Sequence, residues 1–186
     1  MTHKIYRLLF ISLSIFLLIL TSFNFAAAKE NVDYDFHIGT GFTEQFGPVV
    51  SMARNGDTVE FKGSGSFSTM PKMVEGSGTF IHRNAGGEII GAGVWTATKL
   101  ISFKSYGSGA LQGLPEDFEG GRALMKVYLD PNIRVPGFDG TLRIDCTLGD
   151  VPKNAEEGIR LAVRGVPINF NKEVSGATLF IRKNSD

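Results

Sequence analysis

The sequence predicts an all-β protein, an antiparallel β-barrel of about eight strands with a β-sandwich as the alternative, and three observations carry that prediction. Apolar and polar residues alternate over many short segments. Gly, Asn and Pro punctuate the intervals between them, and no long stretch repeats apolar residues at helical spacing.

Taken in order, residues 1–28 stand apart from the rest. Lys4 and Arg7 precede an apolar run from Leu8 to Leu20 that is relieved only by Ser12 and Ser14, and Ala26-Ala27-Ala28 follows. A charged start, an apolar stretch of about 13 residues and a small-residue cleavage site are the three parts of a secretory signal peptide. The run is shorter than the roughly 20 residues that cross a bilayer, so no membrane span is expected after cleavage. The expectation is a protein that is exported, secreted or periplasmic, with a mature chain starting near Lys29.

Residues 29–186 would then be a single domain, large enough to bury a sizeable core. The whole chain carries 19 basic and 19 acidic residues; removing Lys4 and Arg7 leaves 17 against 19, a formal charge of −2. That balance offers nothing to a nucleic acid. One cysteine permits no internal disulfide, so stability has to come from the core. A monomer is expected.

Thr58 to Ser68 sets Val59, Phe61, Gly63, Gly65 and Phe67 on one face and polar residues on the other, the pattern of a half-buried strand. Gly140 to Leu148 does the same with Leu142, Ile144, Cys146 and Leu148, which turns Cys146 inward as a small, inert hydrophobe. Further strands are predicted near Tyr34–Gly39, Gly76–Arg83, Ile89–Phe103, Ala123–Leu129, Ile159–Phe170 and Ala177–Ile181. The inward set of the segment from Ile159 changes parity at Gly165, which predicts a bulge or break there. Turns are predicted at 55–57, 84–87, 136–137 and 171–176, and Ser105–Arg122 reads as the longest segment without strand character.

One unit recurs on the predicted strands: Gly63-Ser64-Gly65-Ser66-Phe67, Gly76-Ser77-Gly78-Thr79-Phe80 and Gly91-Ala92-Gly93-Val94-Trp95. A spacing of two places both glycines and the aromatic on one face. Glycine inside a strand is costly, so such pairs need a reason. Either they let the sheet coil and close while the rings fill the space above them, or they hollow out a cavity for an apolar ligand lined by Phe61, Phe67, Phe80 and Trp95. No helix or Lys-Ser/Thr pair follows them, which excludes a nucleotide-phosphate loop.

Candidate chemistry is sparse. Asp33, Asp35 and His37 alternate on one face, which reads as a solvated strand surface and not a metal site. His82 follows Phe80 on the glycine–aromatic face, just before a turn, and is expected at the rim of the barrel as a hydrogen-bonding group bordering the cavity. Glu116, Asp117 and Glu119 lack the spacing of a calcium loop. No serine has a nucleophile's context, no catalytic residue is assigned, and neither metal nor cofactor is expected.

The stretch Asn55–Tyr106, with Gly56-Asp57-Thr58-Val59, Gly76-Ser77-Gly78-Thr79-Phe80 and Gly93-Val94-Trp95-Thr96-Ala97-Thr98, resembles a recurring family of secreted proteins to which no activity is attached. Gly93-Val94-Trp95 also resembles the Gly-x-Trp of lipocalins, although theirs lies on the first strand. The Gly-x-Gly-x-aromatic strands are similar to those of allene oxide cyclase and dirigent barrels. These resemblances imply a barrel and transfer no functional residue. The leading expectation is a non-enzymatic binder of a small apolar ligand; the alternatives are an interaction scaffold and a barrel enzyme, cyclase- or isomerase-like, acting on a lipid-like or phenolic compound through His82 or an acid of 105–122.

Overall fold

The computed structural model describes residues 31–132 and 135–183. The signal-peptide expectation for residues 1–28 lies outside them. Ten strands follow in order: β1 (Asp33–Ile38), β2 (Val49–Ala53), β3 (Thr58–Thr69), β4 (Lys72–Arg83), β5 (Ile89–Ser108), β6 (Phe118–Pro131), β7 (Phe138–Cys146), β8 (Gly158–Val163), β9 (Asn169–Ser175) and β10 (Thr178–Arg182). Single 3-10 turns at Gly41–Phe46 and Gly109–Gln112 are the helical elements among the described residues, none of whose helices is long and apolar enough to cross a membrane.

All pairings are antiparallel, and each of the ten strands has a partner on both sides. The pairings close a ring through eight strands, β2 to β9, a connectivity that a barrel and a corner-joined sandwich share. Two strands act as branch points. β3 pairs with β2 through Thr58–Phe61 and with β1 through Gly63–Ser68. β6 pairs with β7 through Gly121–Leu129 and with β10 through Phe118–Glu119. One end of the sheet β3–β4–β5–β6 is therefore closed by β7, β8, β9 and β2, making eight strands, and the other by β10 and β1, making six. Because ring width grows with strand number, the eight-strand end has the wider interior.

Burial follows that taper. At the six-strand end the Tyr34 ring lies 5.2 Å from Phe67 and 4.6 Å from Phe103, and Phe103 packs 5.0 Å from Phe180. Tyr34 Oη donates to Glu119 Oε1 at 2.9 Å, and the Ser105 hydroxyl meets the same oxygen. Burial, with the Glu119 charge beside it, pushes the Tyr34 phenol well up from its ordinary value.

In mid-ring the glycines meet in register: Gly63 stands opposite Gly78 and Gly65 opposite Gly76. A Cβ at Gly63 would lie 2.5 Å from the Trp95 ring, and one at Gly76 would lie 2.6 Å from the Phe36 ring. Trp95 is fully buried, and its Nε1 donates to the Lys62 carbonyl at 3.0 Å. The four glycines thus form a flat seat that two large rings occupy, the space-filling alternative of the two read from the sequence.

Several expectations need correction. β2 was absent from the predicted strands; its Val49-Val50 start hides the alternation. Asn171–Ser175 is strand and not turn, since β9 pairs with β2 across two bulges. The segment 105–122 is largely strand too: β5 runs to Ser108 and β6 begins at Phe118, leaving a short link. The break predicted at Gly165 separates β8 from β9, and its φ of +78° is the left-handed conformation that glycine adopts at little cost.

Cys146 is buried, and loss of solvent pushes its thiol up to about 12. The thiol therefore stays protonated in the fold at pH 8 and above. Iodoacetamide at pH 8.5 should leave the native protein unmodified over hours and label it stoichiometrically in denaturant, read by intact mass. Rapid labelling without denaturant would contradict the inward strand face.

Candidate functional site

β4 carries the site's polar centre for a simple reason of parity. Phe80 and His82 share the inward face, and His82 is the last inward residue before the turn at 84–87, so an imidazole is held at the rim of the eight-strand end. β3 supplies its partner. Register sets Val59 opposite His82, and Asp57, two residues earlier on the same face, becomes its diagonal neighbour. His82 Nε2 lies 3.1 Å from Asp57 Oδ2, with the two side chains 23% and 11% exposed.

The turn before β3 fixes that carboxylate. The Asp57 N–H donates to Asn55 Oδ1 at 3.2 Å, and the Asp57 carbonyl accepts from Ala53 N–H at 2.8 Å. The imidazole is steadied on another side by the Phe170 ring, edge-on at 5.2 Å.

This pair borders a cavity of about 390 Å³. Its walls come from β3 to β9: Val59, Phe80, Gly91, Leu129, Leu161 and Phe170 form the body, while Ile90, Pro131, Val135, Phe138, Val163 and Val166 surround the opening. Among the described residues His82 is the sole polar side chain in that lining. Gly91 opens space directly beside it, since a Cβ there would touch only His82 Cβ, at 3.7 Å. A volume of this size suits a small organic ligand, and a single directional group in an apolar wall fixes its orientation.

Of the five residues the sequence offered as a binding face, Phe80 and His82 line this cavity. Phe61, Phe67 and Trp95 lie deeper. Phe61 packs between Phe80, at 6.2 Å, and Trp95, at 5.8 Å, and all three are core residues. Glu119 does not join His82; it belongs to the six-strand end with Tyr34. Asp35 pairs with Lys183 at 2.8 Å, His37 Nδ1 lies 3.3 Å from Thr40 Oγ1, and among the described residues no three His, Cys, Asp or Glu side chains gather to hold a metal.

Asp57 was missed because Asn55-Gly56-Asp57 reads as turn punctuation. A usable signal existed: pairing the two Gly-x-Gly units of β3 and β4 fixes the hairpin register and brings Asp57 beside His82.

Chemically the arrangement is an imidazole backed by a carboxylate, facing apolar walls whose described residues carry no hydroxyl, thiol or amine nucleophile. Asp57 accepts from Nε2–H, which leaves Nδ1 of the neutral ring as an acceptor. Fold and site together define a closed antiparallel β-ring with an apolar mouth and one His–Asp pair. Comparison of the chain with protein-family models, with curated proteins and with solved structures finds no match.

Proposed function

We propose that the protein binds a small, largely apolar ligand in the mouth of the eight-strand ring, with His82, oriented by Asp57, giving the one directional hydrogen bond. The observation that carries this reading is the roughly 390 Å³ cavity whose described lining is apolar except for His82. Binding without turnover fits best, because the described walls hold no nucleophile and Asp117 of the Gly109–Asp117 link lies at the six-strand end, where its carbonyl accepts from Arg182 N–H. An interaction scaffold is the second reading: each described strand has two partner strands, but Lys72–Gly76 of β4 pairs with β3 alone and leaves a short stretch of edge open toward β5. Export, proposed from residues 1–28, would place this mouth outside the cytoplasm.

The test uses an uncharged fluorescent probe, N-phenyl-1-naphthylamine, and the variant Gly91→Leu. The leucine side chain would enter the cavity from a position where its Cβ meets no tight contact. The wild type should bind one probe per chain, and Gly91→Leu should bind at least tenfold more weakly with an unchanged melting temperature. Equal binding by the two proteins would overturn the reading. Among displacing compounds, an alcohol should lose about tenfold in affinity in His82→Phe, the value of one hydrogen bond, whereas the matching hydrocarbon should not.

A further inference from the structure

On the outer face of β6, β7 and β8, away from the cavity, Asp145 is wholly buried beneath three arginines. Arg122 Nε donates to its Oδ1 at 2.6 Å, Arg143 Nε donates to Oδ2, and Arg160 Nη1 reaches Oδ2 at 3.3 Å. Tyr106 Oη adds a contact to Oδ1 at 3.3 Å. These four donors fill the carboxylate, which is the usual condition for burying a charge.

The number of arginines exceeds what Asp145 requires. Arg160 is fully engaged, since its Nε donates to the Asn171 carbonyl at 3.0 Å and its Nη2 meets Glu156. Arg122 and Arg143 are not. Each commits only Nε, and their four Nη groups have no partner among the described residues. Their side chains are 35% and 26% exposed, so solvent reaches these groups from one side.

Charge points the same way. Glu156 and Glu173 lie on the Arg160 side of the cluster, whereas on the other side Lys104 stands opposite Arg122 on the next strand. Arg143 and Arg160 are direct cross-strand neighbours, a like-charge pairing that Asp145 Oδ2 offsets by contacting both. The Arg122–Arg143 side of the cluster, with Lys104 beside it, is thus the cationic part of a chain with no net positive charge.

The geometry points to an oxyanion site: Arg122 and Arg143, held at fixed angles by buried Asp145, present free Nη donors to a tetrahedral phosphate or sulfate group. Arginine suits this role because its planar fork matches two oxygens at once and keeps its charge at any physiological pH. Asp145 is a positioning residue that would not touch the anion. The group could arrive as the free ion or as a monoester on a larger molecule.

Titration calorimetry on the purified protein at constant ionic strength, with inorganic phosphate, inorganic sulfate and phenyl phosphate as separate arms against chloride, tests this. At least one arm should show saturable one-to-one binding, and the tightest arm identifies the source. Arg122→Gln and Arg143→Gln should each weaken it at least tenfold, Arg122→Lys should not restore it, and Arg83→Gln, at the far end of β4, should leave it unchanged. Should the glutamine variants fail to fold, the side-chain Nε–H resonances of wild-type Arg122 and Arg143 provide the readout and should shift together on titration. No arm binding more tightly than chloride, binding that survives in folded glutamine variants, or shifts spread over surface lysines would overturn the site.

Discussion

Gly78→Ala should cost about 4 kcal/mol or more, the range reserved for severe core lesions, and lower the melting temperature by at least about 8 °C in a domain of this size. A Cβ at residue 78 would stand 1.9 Å from the Lys62 carbonyl oxygen, 2.6 Å from Gly63 Cα and 2.7 Å from Trp95 Nε1. Two of those three atoms are backbone of the paired strand, so relief requires β3 and β4 to separate, and the third is the ring whose hydrogen bond ends on the same carbonyl. Gly91→Ala is the internal comparison. It belongs to the same repeated unit, yet its Cβ meets only His82 Cβ at ordinary contact distance, and the cost should stay within about 0.5 kcal/mol. Thermal and denaturant unfolding of the two variants reads the difference directly. Equal costs would show that the glycines are interchangeable and that the flat seat under Trp95 is not what selects them.

Asp145→Asn should be the largest polar lesion, on the order of 3 kcal/mol, because an amide keeps the volume but leaves three partly buried arginines without their common anion. Asparagine also brings two N–H donors to a place where every neighbour already donates. Asp139→Asn provides the contrast on the same strand: its contact with Arg164 is 4.0 Å long between two side chains that are mostly exposed, and such pairs contribute little. Urea unfolding should separate the two variants clearly. If Asp145→Asn unfolds at the wild-type midpoint, the arginines are independent surface residues and the oxyanion site loses its scaffold.

What could be read from the sequence divides along local and non-local lines. Alternation is local, so β3, β7 and the break at Gly165 were legible from single segments. β9 was not, because Asn169–Ser175 has one inward hydrophobe, Phe170, and becomes a strand by pairing with β2. The ends of β5 and β6 were hidden by Gly107, Gly120 and Gly121, which read as loop although the two strands pair through them. The site divides in the same way. His82 at the rim followed from parity along one strand, whereas Asp57 needed the register between two. The arginines around Asp145 needed the register of three strands and left no signature in any one of them.

The pairing of β1 with β10 has a consequence for how the chain folds. The first strand is flanked by β3 and by the last strand, so the six-strand end cannot close until Thr178–Arg182 is present. Contacts that span nearly the whole domain are paid for early in loop entropy and rewarded late, which makes such topologies slow to fold. The chain should therefore remain an open, unlocked sheet until Thr178–Arg182 has emerged, and acquire its final cooperativity when that segment zips in beside β1.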